Sequence, residues 1–186
     1  EQPLTMDNLQ AKYVSAKEIL THCSTVTNNE DMHNYIIGKG EIGLPQRLNE
    51  INKVLNGTPF TVSYRVMNEL TIYLAVLLDQ AEEEGKEITF DSFKQYVETA
   101  IDRILLMKIL PRVEGDDEMF HISDKERNAN ELPDQAEDGH EFTKLDWLRQ
   151  IAPQHNEDNQ NEYMAVDKLA EMIERLNRQS FTRFWP

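Results

Sequence analysis

Two neighbouring stretches of sequence decide the fold: Ser63-Tyr-Arg-Val-Met-Asn-Glu-Leu-Thr-Ile-Tyr-Leu-Ala-Val-Leu-Leu-Asp-Gln-Ala-Glu-Glu-Glu-Gly85 and Asp91-Ser-Phe-Lys-Gln-Tyr-Val-Glu-Thr-Ala-Ile-Asp-Arg-Ile-Leu-Leu-Met-Lys-Ile-Leu-Pro111. In each stretch the apolar residues recur with the period of one helix face. Ser63 and Asp91 are suitable N-caps, whereas Gly85 and Pro111 are typical helix stops. Because the connection between them is short, we expect two antiparallel helices packed against each other.

Further helices are predicted on either side of this pair. Lys12–Cys23 and Leu44–Leu55 have helical apolar spacing, while the polar stretch Thr25–Asn34 is typical of a loop. Tyr163–Leu176 predicts an amphipathic C-terminal helix, followed by an aromatic tail at Phe181–Pro186. The predicted fold class is therefore mainly α, a small helical bundle with a C-terminal helical extension.

The charge is distributed unevenly along the 186 residues, whose formal net charge is −15. Residues 114–158 hold 14 acidic and 4 basic residues, and residues 159–186 hold 4 of each. The acidic run and its Pro, Gly and Asn clusters predict a partly irregular segment in which only Phe142–Ile151 forms a packed helix. A clustered basic face is missing, so we expect no strong direct binding to nucleic acid.

Several classes of reaction centre are excluded by the motifs. Gly38-Lys-Gly-Glu-Ile-Gly43 matches G-x-G-x-x-G, but no alternating β/α pattern follows it, which favours a turn. No phosphate-binding loop G-x-x-x-x-G-K-[ST] is present. The five histidines and the single cysteine have no metal-ligand spacing, and His22-Cys23 points to different helix faces. We therefore predict neither catalytic residues nor a metal site in this chain.

Arg65 is placed unusually for an arginine. It falls in the first turn after the Ser63 cap, where a cation opposes the helix dipole. A surface arginine that pairs with Glu69 or lies over Tyr64 is the simpler interpretation of the residues alone. A guanidinium beside a helix N-terminus is, however, also a good phosphate ligand.

Parts of the chain resemble a known family. Glu41-Ile-Gly-Leu-Pro-Gln-Arg-Leu-Asn-Glu-Ile-Asn-Lys-Val-Leu55, Phe60–Leu70, Ile101–Gly115 and the terminal Lys168–Trp185 resemble the region after the phosphate-binding core of McrB-like AAA+ proteins, the motors of modification-dependent restriction systems. The resemblance implies a C-terminal AAA+ lid in which Ser63-x-Arg65 is the sensor-2 element. Arg65 would then contact the nucleotide, with Ser63 capping the helix and Tyr64 and Asn68 nearby.

The same resemblance implies a domain plan and partners. Residues 1–40 would lead in from the preceding core, 41–113 would form the lid, 114–158 an acidic insertion, and 159–186 the terminal helix and tail. The chain lacks an initiator Met, so we expect it to be part of a longer ATPase or GTPase that uses ATP or GTP with Mg²⁺. Expected partners are the AAA+ core, neighbouring ring subunits and a nuclease subunit.

Three function classes remain open from the sequence. Besides the lid of a restriction motor, the chain could be a helical protein-interaction module or an acidic DNA mimic. The concentration of acids in one flexible-looking segment argues against the mimic. Without an apolar run long enough to span a bilayer, and without a disulfide pair or a signal peptide, we expect a cytoplasmic protein with no membrane partner.

Overall fold

A computed structural model describes residues 26, 28–39, 43–155 and 163–185. The described chain is mainly helical, which confirms the predicted fold class. The elements in order are α1 Glu30–Ile37, α2 Leu44–Val54, α3 Tyr64–Glu83, α4 Phe90–Ile104, a π-helical turn Leu105–Ile109, a 3-10 turn Leu110–Arg112, β1 Glu114–Asp116, α5 Asp117–Phe120, α6 Asp124–Ala129, α7 Lys144–Ile151, α8 Ala165–Gln179 and β2 Phe181–Arg183.

The chain divides into two compact units, and the division differs from the ranges expected from the sequence. The first unit comprises the described residues up to Glu50 together with Val62–Ile104, and the second comprises Ile51–Thr61 and the described residues from Leu105 onward. The segment at 51–61 therefore belongs with the later part of the chain. No helix in the described residues is long and apolar enough to cross a membrane.

The first unit is built around α3 and α4, the two helices that the sequence predicts as a packed pair. The helices contact each other extensively, which confirms the packing. Their facing sides are fully buried and consist of Leu70, Leu74 and Leu78 on α3 and Phe93, Val97 and Ile101 on α4. The apolar period in the sequence therefore identified the core face of both helices.

Two contacts attach α1 and α2 to this pair. The Tyr35 ring meets Phe90 and Phe93 edge-on, with centroids 6.4 and 5.8 Å apart. The Arg47 guanidinium of α2 donates to both carboxylate oxygens of Glu98 on α4, at 2.9 and 3.2 Å. Both contacts hold short helices against α4, since neither helix is long enough to be stable alone.

The loop expected over Thr25–Asn34 is wrong in its second half. Asn29 is the N-cap of α1 and its side chain accepts from the Met32 amide at 3.1 Å. The Asn-Asn pair that indicates a loop is here the start of a helix, because Met32 and Ile36 bury one face. The helix predicted over Lys12–Cys23 lies outside the described residues.

The acidic middle segment contains more structure than its composition indicates. Helix α7 confirms the prediction for Phe142–Ile151, but α5 and α6 were not expected. Asp116 and Ser123 cap these two helices with their side chains. Composition was misleading here because most of the described acids of this segment are exposed, while Phe120 and Ile122 are completely buried.

A short antiparallel ribbon joins the middle segment to the aromatic tail within the second unit. Glu114 pairs with Arg183, Gly115 with Thr182 and Asp116 with Phe181. Ser180 turns the chain after α8 with a left-handed conformation, φ 52°. Such three-residue strands have no periodic signal, which is why the sequence predicted only a tail.

Candidate functional site

The residues singled out by the sequence lie together at the start of α3. Ser63 occupies the N-cap position in extended conformation, as predicted, and its carbonyl accepts from the Val66 amide at 3.0 Å. Its side chain makes no capping hydrogen bond. The cap therefore rests on the backbone, and the Ser63 side chain is exposed.

Arg65 is exposed in the first turn of α3. Among the described residues, its guanidinium forms no ion pair within 4.0 Å, and the pairing with Glu69 that the residues alone suggested is not made. A cation in the first helical turn is slightly destabilising unless it meets an anion. No described anion offsets the unfavourable position of Arg65.

The helix period places the other two candidates beside this arginine. Asn68 lies three positions after Arg65 and four positions after Tyr64, the spacings at which side chains on a helix become neighbours. Both Tyr64 and Asn68 are half-buried. The predicted nucleotide-binding set is thus one local cluster at the end of a single helix.

An apolar strip continues from Arg65 along the same side of α3. Ile72 and Val76 follow Arg65 by seven and eleven positions, and their exposed fractions are 45% and 47%. In the described part of the first unit, these are the large hydrophobic side chains that remain exposed. The strip combines an arginine with apolar surface, a combination suited to contact with another molecule or domain.

The described residues offer little for chemistry at the start of α3. No group of His, Cys, Asp or Glu among them could hold a metal ion. The Tyr35 hydroxyl has its pKa raised by burial and by the nearby Glu98 carboxylate, and the Lys86 ammonium has its pKa raised by the hydrogen bond that it donates to the Glu84 carboxylate. Both shifts arise from local packing or pairing away from the Arg65 cluster.

A polar cleft in the second unit was not predicted from the sequence. Its volume is about 920 Å³, and it lies between the loop 133–142 and the helices α7 and α8. One wall carries Glu137 and Asp138, and the other carries Arg149 and Arg178. Because these side chains come from separate segments of the chain, no local spacing rule could bring them together.

The loop wall of the cleft is fastened through His140. Its Nε2 lies 3.0 Å from Oδ1 of the buried Asp146, and its Nδ1 contacts the Asp138 carboxylate. Asp146 is itself held by Thr143, whose backbone amide and hydroxyl both donate to Oδ2, at 2.9 and 2.6 Å. The one signal available in sequence was Thr143-x-x-Asp146, which matches a capping box.

The comparisons with known proteins assign a family. A family described as "Domain of unknown function (DUF8727)" matches residues 16–181. The chain belongs to the DUF8727 family. The DUF8727 match includes both compact units, and with them the Arg65 cluster and the cleft. No curated protein and no solved structure matches the chain.

Proposed function

We propose that this chain is the helical lid of an AAA+ nucleotide-driven motor of the McrB type, in which Arg65 contacts the nucleotide phosphates. The observation that carries the proposal is the exposed Arg65 at the start of a long helix, with Ile72 and Val76 exposed along the same side. A lid needs such an incomplete face because its AAA+ core docks there. A self-contained domain would cover it.

The chemistry of this site would be shared between two parts of one polypeptide. The helix start and the guanidinium together attract a phosphate, the helix through its dipole and the arginine through paired hydrogen bonds. The phosphate-binding loop, the Mg²⁺ ligands and the bound ATP or GTP would belong to the AAA+ core. The lid by itself would then hydrolyse nothing, and a nuclease subunit and neighbouring ring subunits would be the partners.

The test compares nucleotide hydrolysis and ring assembly by the full-length polypeptide with and without Arg65. We expect Arg65→Ala to reduce hydrolysis by roughly a hundredfold with folding intact, because a charge-assisted contact to the transferred phosphate is lost. Arg112→Ala is the matched control, since Arg112 is also an exposed arginine but lies in the 3-10 turn. Unchanged hydrolysis, or a full-length sequence without a phosphate-binding loop, would exclude the lid.

A protein-interaction module is the second candidate, and the tail favours it. Trp185 is 62% exposed, and its ring packs edge-on against Phe184 at 4.8 Å. Aromatic side chains that remain exposed are enriched at protein interfaces. If Trp185→Ala abolishes assembly of the full-length polypeptide while Ile72→Asp leaves it intact, the interaction module replaces the lid.

A further inference from the structure

The cleft of the second unit is lined by charges of both signs, and its helix wall carries Glu174 beside Arg149 and Arg178. Glu137 and Asp138 lie on the loop wall, while Arg149 lies on α7 and Arg178 on α8. Its volume of about 920 Å³ is within the range of ordinary ligand sites. This site is separate from the Arg65 cluster and does not depend on the proposed lid function.

Most of the lining charges already have partners. His140 lies between the carboxylates of Asp138 and Asp146. Arg178 lies 3.4 Å from Glu174 on the same helix. The carboxylates of Asp138, Asp146 and Glu174 are thus already engaged by His140 or Arg178, which leaves these groups less capacity for a ligand.

Two lining charges form no ion pair with any described residue. Glu137 is exposed on the loop wall and Arg149 is exposed on the helix wall. One anion and one cation without an ion pair to a described residue therefore line a common cleft, the anion on the loop and the cation on α7. Electrostatic complementarity then selects a ligand that carries one charge of each sign.

The neutral lining groups narrow the ligand class further. Gln135 on the loop, Gln150 on α7 and Asn177 on α8 also line the cleft, and a side-chain amide both donates and accepts hydrogen bonds. A peptide backbone needs both kinds of partner along its length. A nucleotide or another polyanion is disfavoured, since Glu137, Asp138 and Glu174 would oppose its charges.

We propose that this cleft binds short zwitterionic peptides, with the ligand carboxylate at Arg149 and the ligand ammonium at Glu137. The guanidinium of Arg149 can bind a carboxylate through two parallel hydrogen bonds. The amides of Gln150 and Asn177 bind the peptide groups between the two ends. A free amino acid has the same two charges, so peptide length separates the two sources.

The test uses the intact chain and a series of uncapped peptides, from alanine and dialanine to tetraalanine. Binding is followed by NMR through the side-chain amide signals of Gln150 and Asn177 at neutral pH. We expect saturable shifts that strengthen from alanine to tetraalanine. N-acetylation or C-amidation of tetraalanine should each weaken binding about fivefold.

Matched variants assign each end of the ligand to its wall. Arg149→Gln should weaken uncapped tetraalanine about fivefold and remove the effect of C-amidation, while N-acetylation still weakens binding. Glu137→Gln should give the reverse pattern. Arg112→Gln, an exposed arginine outside the cleft, should bind like the original chain.

Other outcomes overturn the proposal. The absence of saturable shifts, equal binding of capped and uncapped peptides, or unchanged effects of capping in both variants would each exclude a zwitterionic peptide site. Equal affinity for alanine and tetraalanine would exclude the peptide and leave an amino-acid site. Because the capping arm changes only the ligand, the conclusion stands even if one variant folds poorly.

Discussion

Lys144 is a lysine ammonium buried in the second unit, with all of its donors used. Its Nζ lies 2.7 Å from the Glu126 carboxylate, 3.0 Å from the Asn56 carbonyl and 3.3 Å from the Val54 carbonyl. An ammonium has three N–H groups, so this geometry satisfies it completely. One side chain thereby ties α7 to α6 and to the segment at 51–61.

Replacing this lysine should cost much of the stability of the protein. Lys144→Met keeps the apolar stem but leaves the Glu126 carboxylate and two carbonyls without their donor. We expect the free energy of unfolding to fall by about 2–4 kcal/mol in urea titrations. The exposed Lys125→Met on α6 is the control and should change it by less than about 0.5 kcal/mol. Equal losses in the two variants would show that the hydrogen bonds of Lys144 do not stabilise the fold.

Tyr35 links stability to alkaline pH. Burial against α4 and the Glu98 carboxylate raise the pKa of the Tyr35 hydroxyl above its usual value of 10.0. The neutral phenol is therefore favoured by folding, and this contribution is complete below pH 10 and is lost as pH rises through the raised pKa. As the pH rises above about 10, the free energy of unfolding should fall less for Tyr35→Phe than for the original chain, measured by urea titration at each pH. Parallel curves for the two proteins would contradict the prediction.

The helices show which parts of the fold the sequence could specify. The paired helices α3 and α4 carry long apolar stripes, and each stripe predicts both the helix and its buried face. Helices α5 and α6 are too short to show a helical period in the sequence. Only their capping residues could indicate them. The ribbon depends on contacts between residues far apart in sequence, which no local pattern contains.

The two candidate sites also differ in how far the sequence could predict them. The Arg65 cluster is local, since one helix period brings its members together, so it can be proposed from the sequence alone. The cleft needs the loop 133–142, α7 and α8 to meet, so its charges could not be paired in advance. Residue preference correctly placed Ser63 at the N-cap, but it does not fix the side-chain rotamer, and the hydroxyl makes no capping hydrogen bond.

The ribbon offers a test at the level of single elements. A Cβ at Gly115 would lie 2.8 Å from Cβ and Cγ of Met119 on α5, closer than real Cβ contacts allow. Gly115→Ala should therefore push β1 and α5 apart and lower the free energy of unfolding by about 3 kcal/mol. Gly57→Ala is the control, because Gly57 has φ 79° but open space around it, and should cost about 1 kcal/mol. A smaller loss at Gly115 than at Gly57 would contradict the packing of the ribbon on α5.

At the scale of the whole chain, the main feature is that the backbone passes between the two compact units more than once. The segment at 51–61 leaves the first unit, joins the second and returns, and its Val54 and Leu55 are buried. A chain that ends at Val113 keeps this segment but loses the ammonium of Lys144 that binds its carbonyls. The range 41–113, expected from the sequence to be the lid, thus contains residues of both compact units.

Truncation tests this organisation. The chain ending at Val113 should keep most of the helical circular-dichroism signal expected of α1–α4. We expect it to bind a hydrophobic dye such as ANS strongly and to melt at a lower temperature than the full chain, because Val54 and Leu55 become exposed. A truncated chain that melts like the full chain and binds no dye would show that 51–61 packs within the first unit.

The passage of residues 51–61 into the second unit also limits how recombination can separate the two units. The backbone passes between the units after Glu50, after Thr61 and after Ile104, so no single recombination breakpoint separates one intact unit from the other. A gene fusion that copied one continuous stretch around a single unit would carry an incomplete hydrophobic core. A fusion that copied both units would carry both cores complete. We therefore expect the two units to be inherited together. The family match from residue 16 to residue 181 spans both of them.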